Sequence, residues 1–203
     1  MTASIVLFWR RLAGTVHPDD QAILDREPHS FNLDYPPPAY VGDVENAPVI
    51  LLYSNGGYDP QTTPQEFASP ADAARLREYL HAPTQIDPAK ISPWCGHRNF
   101  AELINAGTLA LINAVPYRSP LLSSEPANRR VARMLPSRLA ANRWLAGEVL
   151  SRQDRLVLLH RGRPYWNLPV GPAAQVLLSP NPISSDLTKP LLEAAQSWRK
   201  PVN

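Results

Sequence analysis

The sequence predicts an α/β fold with three layers, a four-stranded, mostly parallel sheet lying between helices. Two observations carry that prediction. Four short apolar runs, 48–53, 108–113, 155–160 and 173–178, lack the polar alternation of a half-solvated strand, so each reads as a strand covered on both faces. Helical stretches separate the runs, as crossovers between parallel strands require.

Taken in order, residues 1–14 form a short apolar start. Residues 15–47 are polar and rich in proline, and Pro36-Pro37-Pro38 favours extended backbone. Residues 1–37 therefore read as an arm laid over a domain spanning 38–203. After the first strand, Ser69, Pro70 and Asp72 make a helix start, with Leu76, Tyr79 and Leu80 on its apolar side. A short helix over 99–107 ends on Gly107. Residues 128–148 read as one helical stretch bent or split at Pro136. Residues 190–198 close the chain as a helix.

Composition narrows the function classes. The chain has 203 residues, 44% of them hydrophobic, enough for one domain with a real core. The 23 prolines sit between apolar runs and imply rigid loops. A net charge of +2 does not by itself argue for nucleic acid, but lysine occurs only at 90, 189 and 200, so the basic residues are nearly all arginine. Arginine suits a local phosphate or carboxylate site. Cys95 is the single cysteine, which excludes an internal disulfide and a multi-cysteine metal site and suits a reducing, cytoplasmic compartment. No apolar run approaches the roughly 20 residues of a membrane span, and the N-terminus lacks the basic start of a signal peptide. The five histidines show no paired ligand spacing, so no metal is expected.

Ligands of such sheets bind beyond the carboxyl ends of the strands. The loops there are 54–60, 113–119, 160–167 and 179–189. In the first, Gly56 and Gly57 allow close approach to the backbone. Asn55 can orient a water or a substrate atom and Asp59 can act as a base; equally, Asn55 can be a left-handed turn residue and Asp59 can bond its own turn. The loop is not a phosphate-binding Walker loop, a dinucleotide fingerprint or a hydrolase nucleophile elbow. Asn113 presents donor and acceptor side by side, as reading a base edge needs, or simply ends a strand. Arg118 can meet phosphate or stay solvated. The 179–185 loop offers hydroxyls, an amide and free backbone N–H groups at a helix start, or is a plain proline turn. Trp94 and Trp166 flank these loops, as stacking rings or as core. His97 and His160 either approach the pocket or pack.

Together these loops resemble the uracil-DNA glycosylase superfamily over about residues 38–199. Tyr53-Ser54-Asn55-Gly56-Gly57 is similar to the Gly-Ile-Asn-Pro-Gly motif of its mismatch-specific branch, which implies that Asn55 positions the attacking water. Gly56 replaces the proline, which would loosen that loop. Gly96-His97-Arg98-Asn99-Phe100 resembles the Ser-Leu-Arg-Asn-aromatic segment of the uracil branch, implying Phe100 as the stacking ring. Ile112-Asn113-Ala114-Val115 matches the strand end whose asparagine reads the base, and Gly162-Arg163-Pro164 stands where the family has Gly-Lys-Pro. Ser179-Pro180-Asn181-Pro182-Ile183-Ser184 aligns without a gap with the family's His-Pro-Ser-Pro-Leu-Ser loop. Ile183 would then wedge into the stack, and Ser179, Asn181 and Ser184 would lie along the backbone. Ser179 replaces an electrophilic histidine.

The resemblance implies cofactor-free hydrolysis of a base–sugar bond in damaged or deaminated DNA, single- or double-stranded. Asn55 would place the water, with Asp59 as reserve base, and Asn55, Asn113 and Ser179 would line one cavity. The alternatives are a weak or inactive module of the same fold that binds nucleic acid or protein, and a nucleoside or nucleotide hydrolase.

Overall fold

The computed structural model describes residues 4–83, 87–120, 122–168 and 175–198. The arm holds α1 (Ile5–Trp9) and α2 (Pro18–Arg26), and β1 (Tyr40–Val41) follows it. From there the order is β2 (Val49–Asn55), α3 (Thr63–Glu66), α4 (Pro70–His81), α5 (Pro88–Ile91), α6 (Pro93–Gly96), α7 (Ala101–Asn105) and β3 (Leu109–Val115). There follow α8 (Pro126–Met134), α9 (Pro136–Trp144), a π-helical turn Leu145–Val149, β4 (Leu156–Leu159), a 3-10 turn Arg163–Tyr165, β5 (Val176–Leu178) and α10 (Lys189–Ser197). Among the described residues no helix is long and apolar enough to cross a membrane.

The sheet has five strands, not four, in the order β1-β3-β2-β4-β5. β2, β3, β4 and β5 are mutually parallel where they pair. β1 pairs antiparallel with β3, Tyr40 opposite Ile112. It escapes sequence reading because two residues in a proline-rich stretch carry no period. Every residue of β3 and β4, and the first five of β2, are buried, so both faces of the sheet centre are covered. β5 departs from the expected buried strand: Leu177 and Leu178 are exposed, because β5 is the sheet edge. Ala173 and Ala174, the expected start of that strand, lie outside the described residues.

Local chemistry sets the helix ends. The Asp72 carboxylate accepts from the Ser69 backbone N–H at 2.9 Å and from its hydroxyl at 2.8 Å, closing the first turn of α4. The stretch over 128–148 does divide at its proline. Leu135 is extended (ψ 124°), the conformation a residue before proline prefers, and Pro136 opens α9.

The arm belongs to the same core, through Trp9, Leu12 and Leu24. A buried carboxylate ties it down. Asp20 accepts from the Tyr117 hydroxyl at 2.7 Å and from the Ser137 backbone N–H at 2.9 Å, while the His17 N–H donates to the same tyrosine oxygen at 3.1 Å. Asp20→Ala would strand two buried donors, and should lower the unfolding free energy by about 2–4 kcal/mol. Burial also raises the Asp20 pKa above its ordinary value, so the folded state holds the proton to higher pH than the unfolded state. Its contribution is therefore greatest below about pH 4 and declines as pH climbs through the raised value. Urea unfolding of the wild type beside Asp20→Asn, which cannot ionise, should show the wild type losing ground as pH rises from about 4.

Candidate functional site

Consecutive parallel strands run from β2 to β3 on one side, then back across β2 to β4 on the other. The connections leaving β2 and β4 diverge, which opens a crevice at their carboxyl ends. A cavity of about 320 Å³ lies over the ends of β2 and β3 and reaches Arg161 beyond β4, a volume at the small end of ligand sites.

Strand register explains which side chains meet there. Tyr53 pairs with Asn113 and Asn55 with Val115, so these four share one face of the sheet. Leu52 pairs with Leu159, which sets His160 level with Tyr53, and their rings lie 5.1 Å apart. Leu159 pairs with Leu178, which sets Ser179 level with His160. Asn113 and Ser179 are thus three strand spacings apart, roughly 14 Å at about 4.8 Å each. Asn55 and Asn113 line the cavity; Ser179 does not.

Both asparagines are committed through Nδ2 to a protein carbonyl. Asn55 is not left-handed, since no described residue but glycine has positive φ. Its Nδ2 donates to the Ser119 carbonyl at 2.9 Å, and its Oδ1 accepts from the Ser54 hydroxyl at 3.3 Å. Asn113 is nearly buried, and its Nδ2 donates to the Pro38 carbonyl at 2.6 Å. Pro38 itself lines the cavity. At Gly56 the Pro38 ring fills the space a Cβ would need. Proline at 56 would collide with the proline run 36–38, which forms a strap over the end of β3; glycine lets strap and loop pack. Gly57 needs its glycine for another reason, a φ of 59°.

Asp59 takes the turn role. One carboxylate oxygen accepts from the backbone N–H groups of Gln61 and Thr62, both at 2.8 Å. Those bonds hold its pKa below the ordinary carboxylate value, which makes it a poorer base. Arg118 is neither solvated nor free for phosphate. It is buried in the cavity wall, 2.9 Å from the Glu66 carboxylate and with its guanidinium 5.3 Å from the Phe67 ring centre. Burial is the main influence on Arg118 and lowers its pKa, with Glu66 opposing it. Cys95 also borders the cavity, but burial pushes its thiol up to about 12, leaving no thiolate at neutral pH.

The structure does not bring Phe100 to the cavity. Its ring is 0% exposed, 6.4 Å behind Trp94. Trp94 faces the cavity instead, edge-on to Tyr53 at 5.6 Å and with the Arg98 guanidinium 5.1 Å from its ring centre. Trp166 is core, its Nε1 donating to the Tyr53 carbonyl at 3.0 Å.

The 179–185 loop lies beside the cavity. Its expected free N–H groups are partly spent: Asn181 N–H donates to the Ser179 hydroxyl and Ile183 N–H to the Asn181 side chain, each at 3.3 Å. The Ser184 hydroxyl accepts from Asp186 N–H at 3.1 Å, and the next helix, α10, begins only at Lys189. Ile183 stands 86% exposed at the tip. Side chains from three elements grip the loop's far limb. Tyr53 donates to the Ser185 carbonyl at 2.8 Å, His160 Nε2 lies 2.8 Å from the Ser184 carbonyl, and Asn99 pairs with Leu187. His160 is buried with its Nδ1 unpartnered, and burial holds its pKa below the ordinary imidazole value. It is a neutral N–H donor to the loop.

Sequence reasoning missed Pro38, Glu66 and Arg161. Pro38 and Glu66 reach the site through folding alone, with no local signal. Arg161 had one, its place immediately beyond a strand end. Among the described residues, no group of three or more His, Cys, Asp and Glu is placed to hold a metal.

The strap contact is testable by mutation. Gly56→Ala should lower stability by about 1–3 kcal/mol through overpacking against Pro38. Adding Pro38→Ala, which removes the opposing ring, should restore part of that loss in a double-mutant cycle read by urea unfolding.

Compared with protein-family models, with curated proteins and with solved structures, the chain matches none.

Proposed function

We propose that this chain hydrolyses the N-glycosidic bond of a damaged or deaminated base in DNA, taking the extruded base into the cavity beyond β2 and β3. One observation carries the reading. Asn55 and Asn113, which come from different strands, wall a single base-sized cavity with the Trp94 ring on its border. Trp94 takes the stacking role that Phe100 cannot. Asn113 reads the base edge with the polar capacity that Pro38 leaves over.

In this reading the bond breaks with its electron pair going to the base, leaving an oxocarbenium-like sugar. Ser119 fixes the Asn55 amide, so that its Oδ1 orients the water that adds to C1′. An amide does not take the proton, which passes to solvent. Slow turnover follows, because Asp59 is a weakened base and no imidazole stands at 179. Ile183 and the 179–184 loop would contact the strand beside the cavity.

A second reading, a binding module without turnover, is favoured by a specific feature. Both asparagine Nδ2 groups already donate to protein carbonyls.

The test is abasic-site formation in single- and double-stranded oligonucleotides carrying uracil or hypoxanthine. Wild-type protein should release base, and Asn55→Ala and Asn113→Ala should each slow release by on the order of 10²-fold. Release undiminished by both substitutions would remove this site from the chemistry. Strand binding without release would establish the binding module.

A further inference from the structure

Just past β4 the ladder stops advancing. The N–H groups of His160 and Arg161 both donate to the Leu52 carbonyl, at 3.1 and 3.2 Å. Gly162 then turns the chain with a φ of 79°, so close to β2 that a Cβ on it would lie 2.7 Å from Ser54 Cα. This stalled turn holds Arg161 at the crevice between β2 and β4, in the cavity wall. Its guanidinium lies 5.8 Å from the Tyr53 ring centre. Nε and Nη2 donate to the Ser184 carbonyl at 3.1 and 2.7 Å, and Nη2 also to the Ile183 carbonyl.

Those bonds fix the side chain without cancelling its charge. Among the described residues, Arg161 has no carboxylate partner within 4.0 Å. The other cavity-lining arginine, Arg118, is paired with Glu66. Asp59, on the exposed lip, is committed to the N–H groups of Gln61 and Thr62. The cavity wall therefore carries a fixed guanidinium with no carboxylate within 4.0 Å, next to aromatic rings and two amides.

We propose that Arg161 is an anion subsite of this cavity and that the anion is a phosphate on the sugar of a base-bearing ligand. Nε and Nη2 are taken by the loop carbonyls, which leaves the two Nη1 hydrogens to meet phosphate oxygens, and preorganisation by those carbonyls removes much of the entropy cost of that match. The proposal rests on the reading of the cavity as a nucleobase site. The phosphate is the monoester of a free nucleotide or the diester of a strand.

The experiment is calorimetric titration of the whole chain with deoxyuridine, its 3′- and 5′-monophosphates, and a trinucleotide with central deoxyuridine. At least one phosphate-bearing probe should bind roughly tenfold or more tightly than the nucleoside. A monophosphate preferred over the trinucleotide marks a nucleotide as the source; the reverse marks a strand. Arg161→Gln should abolish the phosphate increment. Arg161→Lys should keep part of it, because lysine retains the charge while losing the fork that grips Ser184. Equal losses in both variants would mean a purely structural latch and overturn the subsite, as would a wild-type protein indifferent to phosphate. A phosphate increment that depends on Arg161, without base release, keeps the subsite and ends the hydrolase reading. Base release with no increment does the opposite, and failure of every probe to bind overturns both.

Discussion

Two hydrogen bonds from Asn113 decide where the arm meets the sheet. Its backbone N–H donates to the Ala39 carbonyl at 2.9 Å, and its side chain to the Pro38 carbonyl at 2.6 Å. With both made, the proline strap is fixed over the end of β3, and β1 follows in antiparallel register. The Pro38 ring is then set against Gly56, so the loop after β2 takes its course from the residue just beyond the arm. The cavity is the space left between that strap and the end of the sheet. A residue suited to base reading thus also does structural work, and only the polar capacity left over faces a ligand.

The opposite rim is built on another principle. The 183–187 segment has little regular structure, yet its backbone carbonyls accept from Tyr53, His160, Arg161 and Asn99, which come from β2, the β4 end and the α6–α7 turn. Each donor is a side chain fixed by neighbouring packing, so an irregular loop acquires a defined position. One rim is shaped by van der Waals exclusion and the other by polar grip.

Features with a period or a local cap were legible in the sequence. The buried strands, the Ser69–Asp72 start of α4 and the break before Pro136 depend on residues a few positions apart. Asn55 and Asn113 were legible as residues near the carboxyl ends of buried strands, where ligands of such sheets bind. What stayed hidden depends on contacts between distant segments. Arg118 is buried against Glu66, 52 residues away, which no pattern around either residue announces. Phe100 begins a helix whose inward side is set by Trp94 and Tyr53. Ser179 stands at the expected strand end, but an intervening strand separates it from β2, a matter of sheet order. The mildly basic composition said nothing of Arg161, whose place in the cavity wall depends on carbonyls of a loop more than 20 residues along the chain.

The strap has a kinetic side. Its carbonyl at Pro38 and the amide of Asn113 are 75 residues apart in the chain, so joining them closes a long loop whose entropy cost must be met by β2 and β3 already lying together. The parallel strands β2 to β5 keep all their mutual pairings without β1. Peeling away of the strap would leave those pairings themselves unbroken, at the cost of exposing the buried Ala39, Tyr40 and Val41. Hydrogen exchange at the Asn113 amide would report that opening separately from global unfolding, and the same excursion would change the shape of the cavity beneath.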